Sequence, residues 1–174
     1  MVWDSAGKEY LDCVAGIAVN NVGHCHPKVV EAMKQQAERL MHCSNLYYNE
    51  PQARLAENLV GMLPPGLNKV FFCNSGTEAI EAALKLIRRA SSRPRIVAAK
   101  GSFHGRTLGA LSVTGQPKYR EPFEPLLPGV RFVNYGNLDE IASAIDQTVG
   151  GVILEPVQGC LLYTSPSPRD RTRS

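Results

Sequence analysis

The sequence lacks the features that would indicate a disulfide-stabilised, membrane-spanning or nucleic-acid-binding protein. Its five cysteines are dispersed, and none forms a C-x-x-C pair. An odd, scattered set of thiols fits a reduced cytoplasmic protein better than a disulfide framework. No apolar run approaches the length of a membrane span, and the start of the chain has no signal-like leader.

Neither sign of charge predominates strongly in the sequence. The net charge is +3, and Arg169, Arg171 and Arg173 at the very end account for much of it. Because the remaining charges nearly balance, we predict neither nucleic acid nor an anionic membrane as a partner. The apolar content of 44% over 174 residues is ordinary for a globular domain or part of a larger one.

Strand and helix signals alternate along most of the chain. A hairpin with its turn near Ala6-Gly7 is followed by a loop and then by helices that open at Pro27 and Pro51. The alternation beyond them predicts an α/β fold with a largely parallel sheet. Strands are predicted at 69–73, 95–99, 130–134 and 151–155, and helices at 27–41, 51–62, 79–89 and 138–147.

The turn between the first predicted strand of this sheet and its helix is the most informative stretch. Ser75, Gly76 and Thr77 would present free backbone N–H groups at a helix N-terminus, which is a site suited to an anion. Ser75 and Glu78 equally form a capping box, a motif that begins many helices that bind nothing. The four residues alone favour the capping box.

Other chemistry-bearing residues follow the ends of predicted strands. Residues 73–75, 100–104 and 155–156 would meet at one edge, where ligands of parallel sheets bind. His24, Cys25 and His26 cannot all converge on one metal ion from so short a segment, so we predict no metal site. Glu81 and Lys85 are predicted to form an exposed i,i+4 pair.

Seven motifs in a fixed order resemble the class III, ornithine-type, aminotransferases, which use pyridoxal 5'-phosphate (PLP). Each motif alone is weak, but the ordered set reverses the interpretation of residues 75–77. The stretches are WD at 3–4 with YLD at 10–12, GIAVN at 16–20, GHCHP at 23–27, SNLY at 44–47, FFCNSGTEA at 71–79, FHGRT at 103–107 and ILEPVQG at 153–159.

The resemblance implies the PLP-dependent transferase fold of type I and a set of site residues. Phe103 would stack on the cofactor ring, and Arg106 would bind the substrate carboxylate with its guanidinium fork. Without the motifs, Phe103 would be interpreted as a core aromatic, Arg106 as a surface arginine and Glu155 as a cap on a turn. The implied cofactor-binding residues are Ser75, Gly76, Thr77, Phe103 and His104, and the implied substrate-binding residues are Arg106, Ile17, Asn20 and Glu155.

The resemblance also implies what the chain does not carry. The Schiff-base lysine and the aspartate that pairs with the pyridinium nitrogen belong, in the family, beyond the ILEPVQG stretch, so no catalytic residue is assigned. The family pattern breaks at Cys160. We therefore expect an N-terminal fragment with three parts: an N-terminal segment at 1–50, a partial PLP-binding domain at 51–159 and a non-native or disordered tail at 160–174.

For the intact parent, the resemblance implies a cytoplasmic homodimer in arginine biosynthesis. It would transfer the terminal amino group of N-acetylornithine to 2-oxoglutarate, and Ile17 resembles the aliphatic residue of that branch. Ornithine, succinylornithine or 4-aminobutyrate remain alternative substrates. A non-catalytic phosphate-binding α/β module is the alternative from another class.

Overall fold

The computed structural model describes residues 1–159 and 163–164. The chain separates into two compact units, Met1–Val70 and a second unit that begins at Phe71. The three-part division predicted from the sequence, with its boundary after residue 50, remains a prediction. Apart from residues 163–164, the predicted tail at 160–174 lies outside the described residues.

The first unit begins with the predicted hairpin. Strands β1 (Val2–Trp3) and β2 (Glu9–Tyr10) pair antiparallel. The Asp4 carboxylate accepts hydrogen bonds from the backbone N–H groups of Ala6 and Lys8, at 2.9 and 3.0 Å. Gly7 has a φ of 80°, which glycine adopts without steric cost. The turn residues therefore fix the hairpin locally, as expected.

Three helices complete the first unit, and two of them begin at the predicted proline or one residue before it. After the short α1 (Ala15–Ala18), α2 (Pro27–Arg39) and α3 (Glu50–Met62) each carry a proline in the first turn. The Asn49 side chain caps α3 by accepting from the N–H of Gln52 at 3.3 Å. Helix α2 ends two residues before the predicted residue 41.

The second unit contains a three-stranded parallel sheet, which confirms the predicted α/β class. Strand β3 (Arg95–Ala99) lies between β4 (Val130–Val133) and β5 (Val149–Ile153). Alternate residues of β3 enter different hydrophobic clusters, as expected for a strand buried on both faces. Ile96 and Ala98 pack with Leu84, whereas Val97 packs with Val133.

Helix α4 (Gly76–Ser91) covers one of these clusters. Leu84 is buried, and Ile80 and Ile87 pack against the same cluster. The remaining elements are α5 (Leu108–Ser112), α6 (Pro117–Arg120) with a 3-10 turn at Glu121–Phe123, α7 (Leu138–Ala144), β6 (Val157–Gln158) and β7 (Tyr163–Thr164). No helix within the described residues is long and apolar enough to cross a membrane.

Several predicted elements differ from the structure. Helix α4 extends beyond the predicted 79–89 at both ends, and α7 ends three residues before the predicted 147. Residues 69–73 do not form a strand, and Phe71 and Phe72 expose 69% and 37% of their surface. An apolar run becomes a strand only where a neighbour accepts its ladder of hydrogen bonds, and no described strand pairs with it. The last sheet strand, β5, begins and ends two residues earlier than the predicted 151–155.

Candidate functional site

The turn that precedes α4 contains the predicted capping box. Ser75 Oγ accepts from the backbone N–H of Glu78 at 3.3 Å and donates to the Glu78 carboxylate at 3.1 Å. That carboxylate also accepts from the backbone N–H of Asn74 at 2.8 Å. Hydrogen bonds from Asn74, and then from Ser75, hold the pKa of Glu78 below its ordinary value. The Ser75 hydroxyl is therefore engaged in organising the turn.

The cap does not use the backbone N–H groups of Gly76 and Thr77, which the sequence predicts to bind an anion. Gly76 and Thr77 are the first two residues of a 16-residue helix, so their N–H groups have no acceptor within it. The described hydrogen bonds give neither amide another acceptor. A Cβ added to Gly76 would meet no atom within 4 Å, so the space beside this backbone is open. An anion can approach the helix N-terminus here.

The loop after β3 packs directly against this turn. Thr77 Oγ1 and Thr107 Oγ1 lie 2.9 Å apart. Gly105 has a φ of 129°, and a Cβ at this position would collide with the Thr77 side chain. Glycine at 105 is thus required both by backbone conformation and by the close approach of Thr77. This contact brings the FHGRT motif to the start of α4.

Glu81 strengthens the same junction, which corrects the predicted exposed pair with Lys85. The half-buried Glu81 carboxylate accepts from Thr107 Oγ1 at 2.6 Å and from the backbone N–H of Ala110 at 3.2 Å. A carboxylate at the N-terminus of α5 is also favourable for the helix dipole. A Cβ at Gly109 would collide with this carboxylate, which explains the glycine there.

Phe103 and Arg106 both contact the ring of Tyr119. The rings of Phe103 and Tyr119 are 5.7 Å apart at their centroids and inclined by 78°. The Arg106 guanidinium carbon lies 5.8 Å from the centroid of the same Tyr119 ring. The loop that carries Phe103 and Arg106 therefore lies against the turn at 75–77 through Thr107, and the two side chains share a contact with Tyr119. That all five predicted residues form one binding site remains a prediction.

His104 is buried beside these residues. It exposes 8% of its surface, and its backbone N–H donates to Thr114 Oγ1 at 3.1 Å. Its ring Nε2 has no hydrogen-bond partner among the described residues. Burial lowers the pKa of the imidazole, so the neutral ring is favoured.

Glu155 connects the end of β5 to the end of β3. Its Oε2 accepts from the backbone N–H of Phe103 at 3.3 Å. Partial burial raises the pKa of this carboxyl, and the bond from Phe103 opposes that shift. Gln158, which is 1% exposed, donates to the Lys100 carbonyl at 3.0 Å. The segments that follow β3 and β5 therefore meet as predicted, through the bond between Glu155 and the backbone of Phe103. Residues 73–75, the third predicted strand end, do not follow a strand.

Ile17 and Asn20 belong to the first unit. Ile17 is 85% exposed and has a φ of 64°, a left-handed conformation that is unfavourable for a β-branched residue. Asn20 Nδ2 lies 3.5 Å from His24 Nδ1, and His24 Nε2 lies 2.6 Å from Asp12 Oδ2. The hydrogen bond from His24, together with those from Ala15 and Val14, lowers the pKa of Asp12 to about 2.

Sequence reasoning missed three residues that assemble the site. Gly105 and Thr107 lie within the FHGRT motif, so their place in it was a usable signal. Tyr119 stands in a proline-rich connection, where no local pattern distinguishes it. Its contacts arise only when the chain folds back on residues 103–106.

A parallel sheet whose strands are joined by helices, with loops gathered at the carboxyl ends of the strands, is the architecture of α/β proteins that bind ligands at that edge. A family model described as aminotransferase class-III matches residues 1–169. The chain belongs to the class-III aminotransferase family.

Individual relatives agree with the family. An acetylornithine aminotransferase of Methanopyrus kandleri is 60% identical over 158 residues, which cover 91% of this chain and 41% of the relative. A [LysW]-aminoadipate semialdehyde transaminase of Deinococcus radiodurans is 51% identical, with coverages of 91% and 37%. The chain thus spans about 40% of the length of the M. kandleri relative.

A solved structure confirms the predicted transferase fold. The ornithine aminotransferase of Toxoplasma gondii, whose active site is partly occupied by PLP, matches with a TM-score of 0.83 at 30% identity. The match covers 90% of this chain and 39% of that one.

Proposed function

We propose that this chain is part of an aminotransferase that uses PLP to transfer the terminal amino group of N-acetylornithine to 2-oxoglutarate. The M. kandleri relative, named acetylornithine aminotransferase, supports the substrate. The observation that carries the proposal is the convergence of the α4 N-terminus, Phe103 and Arg106. Arginine biosynthesis, as the pathway, follows from the proposed substrate.

The residues at this convergence fit the cofactor. The free amides of Gly76 and Thr77 would hold its phosphate, in the open space beside Gly76. Phe103 would hold the plane of its ring by stacking, since a flat apolar side chain does not compete for the ring's charges. Bound PLP supplies a ring that withdraws electrons from the substrate carbon.

The remaining site residues would orient the substrate and the Phe103 loop. The Arg106 guanidinium is suited to bind a carboxylate through two parallel hydrogen bonds. Glu155 would hold the Phe103 backbone through the bond already described. His104, kept neutral by burial, would pack beside the cofactor without adding charge. Ile17 and Asn20 would contribute to substrate selection.

The 174-residue chain should bind the cofactor without turning over substrate. None of its lysines occupies the family's Schiff-base position, so covalent attachment and proton transfer at the substrate carbon have no group assigned to them. The alternative of a phosphate-binding module that is not an enzyme makes the same prediction for the chain. It differs for the product of the complete gene.

The experiment therefore uses the protein from the complete gene, with PLP, N-acetylornithine and 2-oxoglutarate, and measures glutamate. We expect glutamate to form, and we expect Gly76→Val to abolish cofactor binding without unfolding the protein, because a side chain at 76 enters open space. Gly61→Val is the matched control, since its Cβ also meets nothing within 4 Å. A complete protein that binds PLP but forms no glutamate with any ω-amino donor would favour the module.

A second candidate substrate class has specific support. The D. radiodurans relative is named [LysW]-aminoadipate semialdehyde transaminase and is 51% identical. The same assay with ornithine, succinylornithine, 4-aminobutyrate and a carrier-linked ω-amine ranks the donors by kcat/KM. We expect N-acetylornithine to give the highest value.

A cytoplasmic homodimer also belongs to this proposal, because the resemblance to the family implies it. Sedimentation of the protein from the complete gene tests the oligomeric state. A monomer at assay concentration would contradict it.

A further inference from the structure

Tyr119 contacts two residues of the proposed site at once. Its ring forms a T-shaped pair with the Phe103 ring, with centroids 5.7 Å apart, and its centroid lies 5.8 Å from the Arg106 guanidinium carbon. Edge-to-face aromatic pairs and cation–π contacts are both attractive, since the face of the tyrosine ring is negative and its edge positive. Neither the predicted site residues nor the family motifs include Tyr119.

The helix that carries Tyr119 is itself held in place. Helix α6 begins at Pro117, and Arg120, the next residue after Tyr119, donates to the Thr114 carbonyl at 3.2 Å. The same guanidinium lies 4.4 Å from the centroid of the Phe132 ring on β4 and 3.6 Å from the Glu124 carboxylate. Tyr119 therefore projects from an anchored segment, which can transmit a fixed position to its neighbours.

Phe103 and Arg106 have different roles in the proposed function, yet they share this support. Arg106 is exposed, and a long exposed side chain samples many rotamers unless a contact selects one. A pre-oriented guanidinium loses less rotamer freedom when it binds a carboxylate. The Phe103 ring likewise needs a defined plane to stack on a cofactor.

We propose that Tyr119 is a positioning residue that sets the Phe103 ring for the cofactor and the Arg106 guanidinium for the substrate carboxylate. The inference rests on the proposed function. Tyr119 acts through its ring and not through its hydroxyl, so Tyr119→Phe keeps both contacts and Tyr119→Leu removes both. Lys118, whose ammonium lies 4.7 Å from the centroid of the same ring, offers a control position on the neighbouring residue.

The first arm of the test asks whether the contacts exist, without any ligand. Nuclear magnetic resonance of the protein measures the side-chain signals of Phe103 and Arg106, which the Tyr119 ring current displaces. We expect Tyr119→Leu to shift both sets of signals and Tyr119→Phe to leave them close to wild type. Unchanged signals in Tyr119→Leu would overturn the inference and leave the proposed function standing.

The second arm measures binding with the protein from the complete gene. Contacts of these kinds are each worth about a two- to fivefold change in an equilibrium constant at exposed or half-buried sites. We expect Tyr119→Leu to raise both the Kd for PLP and the KM for the amino donor by about that factor. Tyr119→Phe and Lys118→Met should match the wild type in both constants.

A double-mutant cycle separates positioning from a general loss of structure. If Tyr119 acts through Arg106, Tyr119→Leu raises the donor KM in the wild type but not in an Arg106→Gln background. Equal effects of Tyr119→Leu in both backgrounds would overturn the inference. So would a Tyr119→Leu protein whose Kd for PLP and donor KM equal those of a wild type that binds PLP. A wild type that binds no PLP overturns the proposed function, and the role of Tyr119 with it.

Discussion

The two units differ most in what they bury. In the second unit, the core residues of the sheet and its helices expose 8% of their surface or less, from Leu84 to Ile153. In the first unit, none of the side chains that the structure describes falls in this buried class. Met33 on α2 and Leu55 on α3 are 68% and 49% exposed. Regular secondary structure is therefore present in both units, but buried side chains stabilise it only in the second.

The comparison shows that two kinds of signal shape this chain. The starts of helices α2 and α3 are set by local signals, a proline in the first turn of each and the Asn49 cap of α3. Neither helix contains a buried residue that would stabilise it further. Strand β3 and helix α4 are reinforced by burial on top of local preference. Substitutions in the second unit should therefore cost more than matched substitutions in the first.

The largest difference is expected between two glycines. A Cβ at Gly115 would collide with the Ala99 carbonyl oxygen, which cannot rotate away, so Gly115→Ala should destabilise the second unit by more than about 3 kcal/mol. A Cβ at Gly61, near the end of α3, meets nothing within 4 Å. Gly61→Ala should stabilise its helix by about 0.5 kcal/mol.

Urea unfolding can assign each effect to a unit. Trp3 is the only tryptophan, so its fluorescence follows the first unit, and far-ultraviolet circular dichroism follows the helices of both. Coinciding midpoints for Gly115→Ala and wild type would show that the backbone relaxes around the new methyl group.

A truncation in the core comes next. Ile96 is 3% exposed and lies in the cluster with Leu84 and Ile153, so Ile96→Ala should cost about 3 kcal/mol through lost burial and the cavity left behind. Met33→Ala, at an exposed position of α2, should change the free energy of unfolding by less than about 0.5 kcal/mol. Equal costs, measured by urea unfolding, would mean that Met33 is covered in solution.

The N-caps should be equivalent, because they act locally. Ser75 caps α4 and Asn49 caps α3 through the same kind of bond to the backbone three residues on. Ser75→Ala and Asn49→Ala should each cost about 1 kcal/mol. In addition, only Ser75→Ala should weaken PLP binding, measured by titration. A cost confined to one unit would show that the other helix depends little on its cap.

The smallest effects concern pH, and their signs are opposite in the two units. The pKa of Asp12 is lowered to about 2 from 3.8, so its contribution is present above pH 3.8 and is lost as the pH falls through about 2. The pKa of Glu155 is raised from 4.5, so the folded state binds protons more tightly and stability declines as the pH rises through that pKa.

Neutral variants separate these two signs. Asp12→Asn should remove the acid-induced loss in the first unit, seen by Trp3 fluorescence between pH 2 and pH 5. Glu155→Gln keeps an oxygen for the Phe103 N–H and should raise stability at pH 7 more than at pH 4, seen by thermal unfolding. A Glu155→Gln protein that is less stable than wild type at pH 7 would show that the charge itself holds the Phe103 loop.

Elements whose signals are local could be predicted from the residues alone. The turn at Asp4 and Gly7, the start of α2 at Pro27 and the whole of β3 at 95–99 are where the pattern predicts them. These signals work because caps, prolines and turn residues act within a few positions of themselves. The order of the motifs was also sufficient to predict the family.

The partner that each residue contacts could be seen only in the folded chain. Residues 71–73 have the composition of a strand, but no described neighbour pairs with them. Glu81 has the spacing of an exposed ion pair, yet it bonds to Thr107, 26 positions further along the chain. Tyr119 gains its place from contacts with Phe103 and Arg106. Such contacts depend on how the chain returns to itself, and the packing of the whole unit fixes that path.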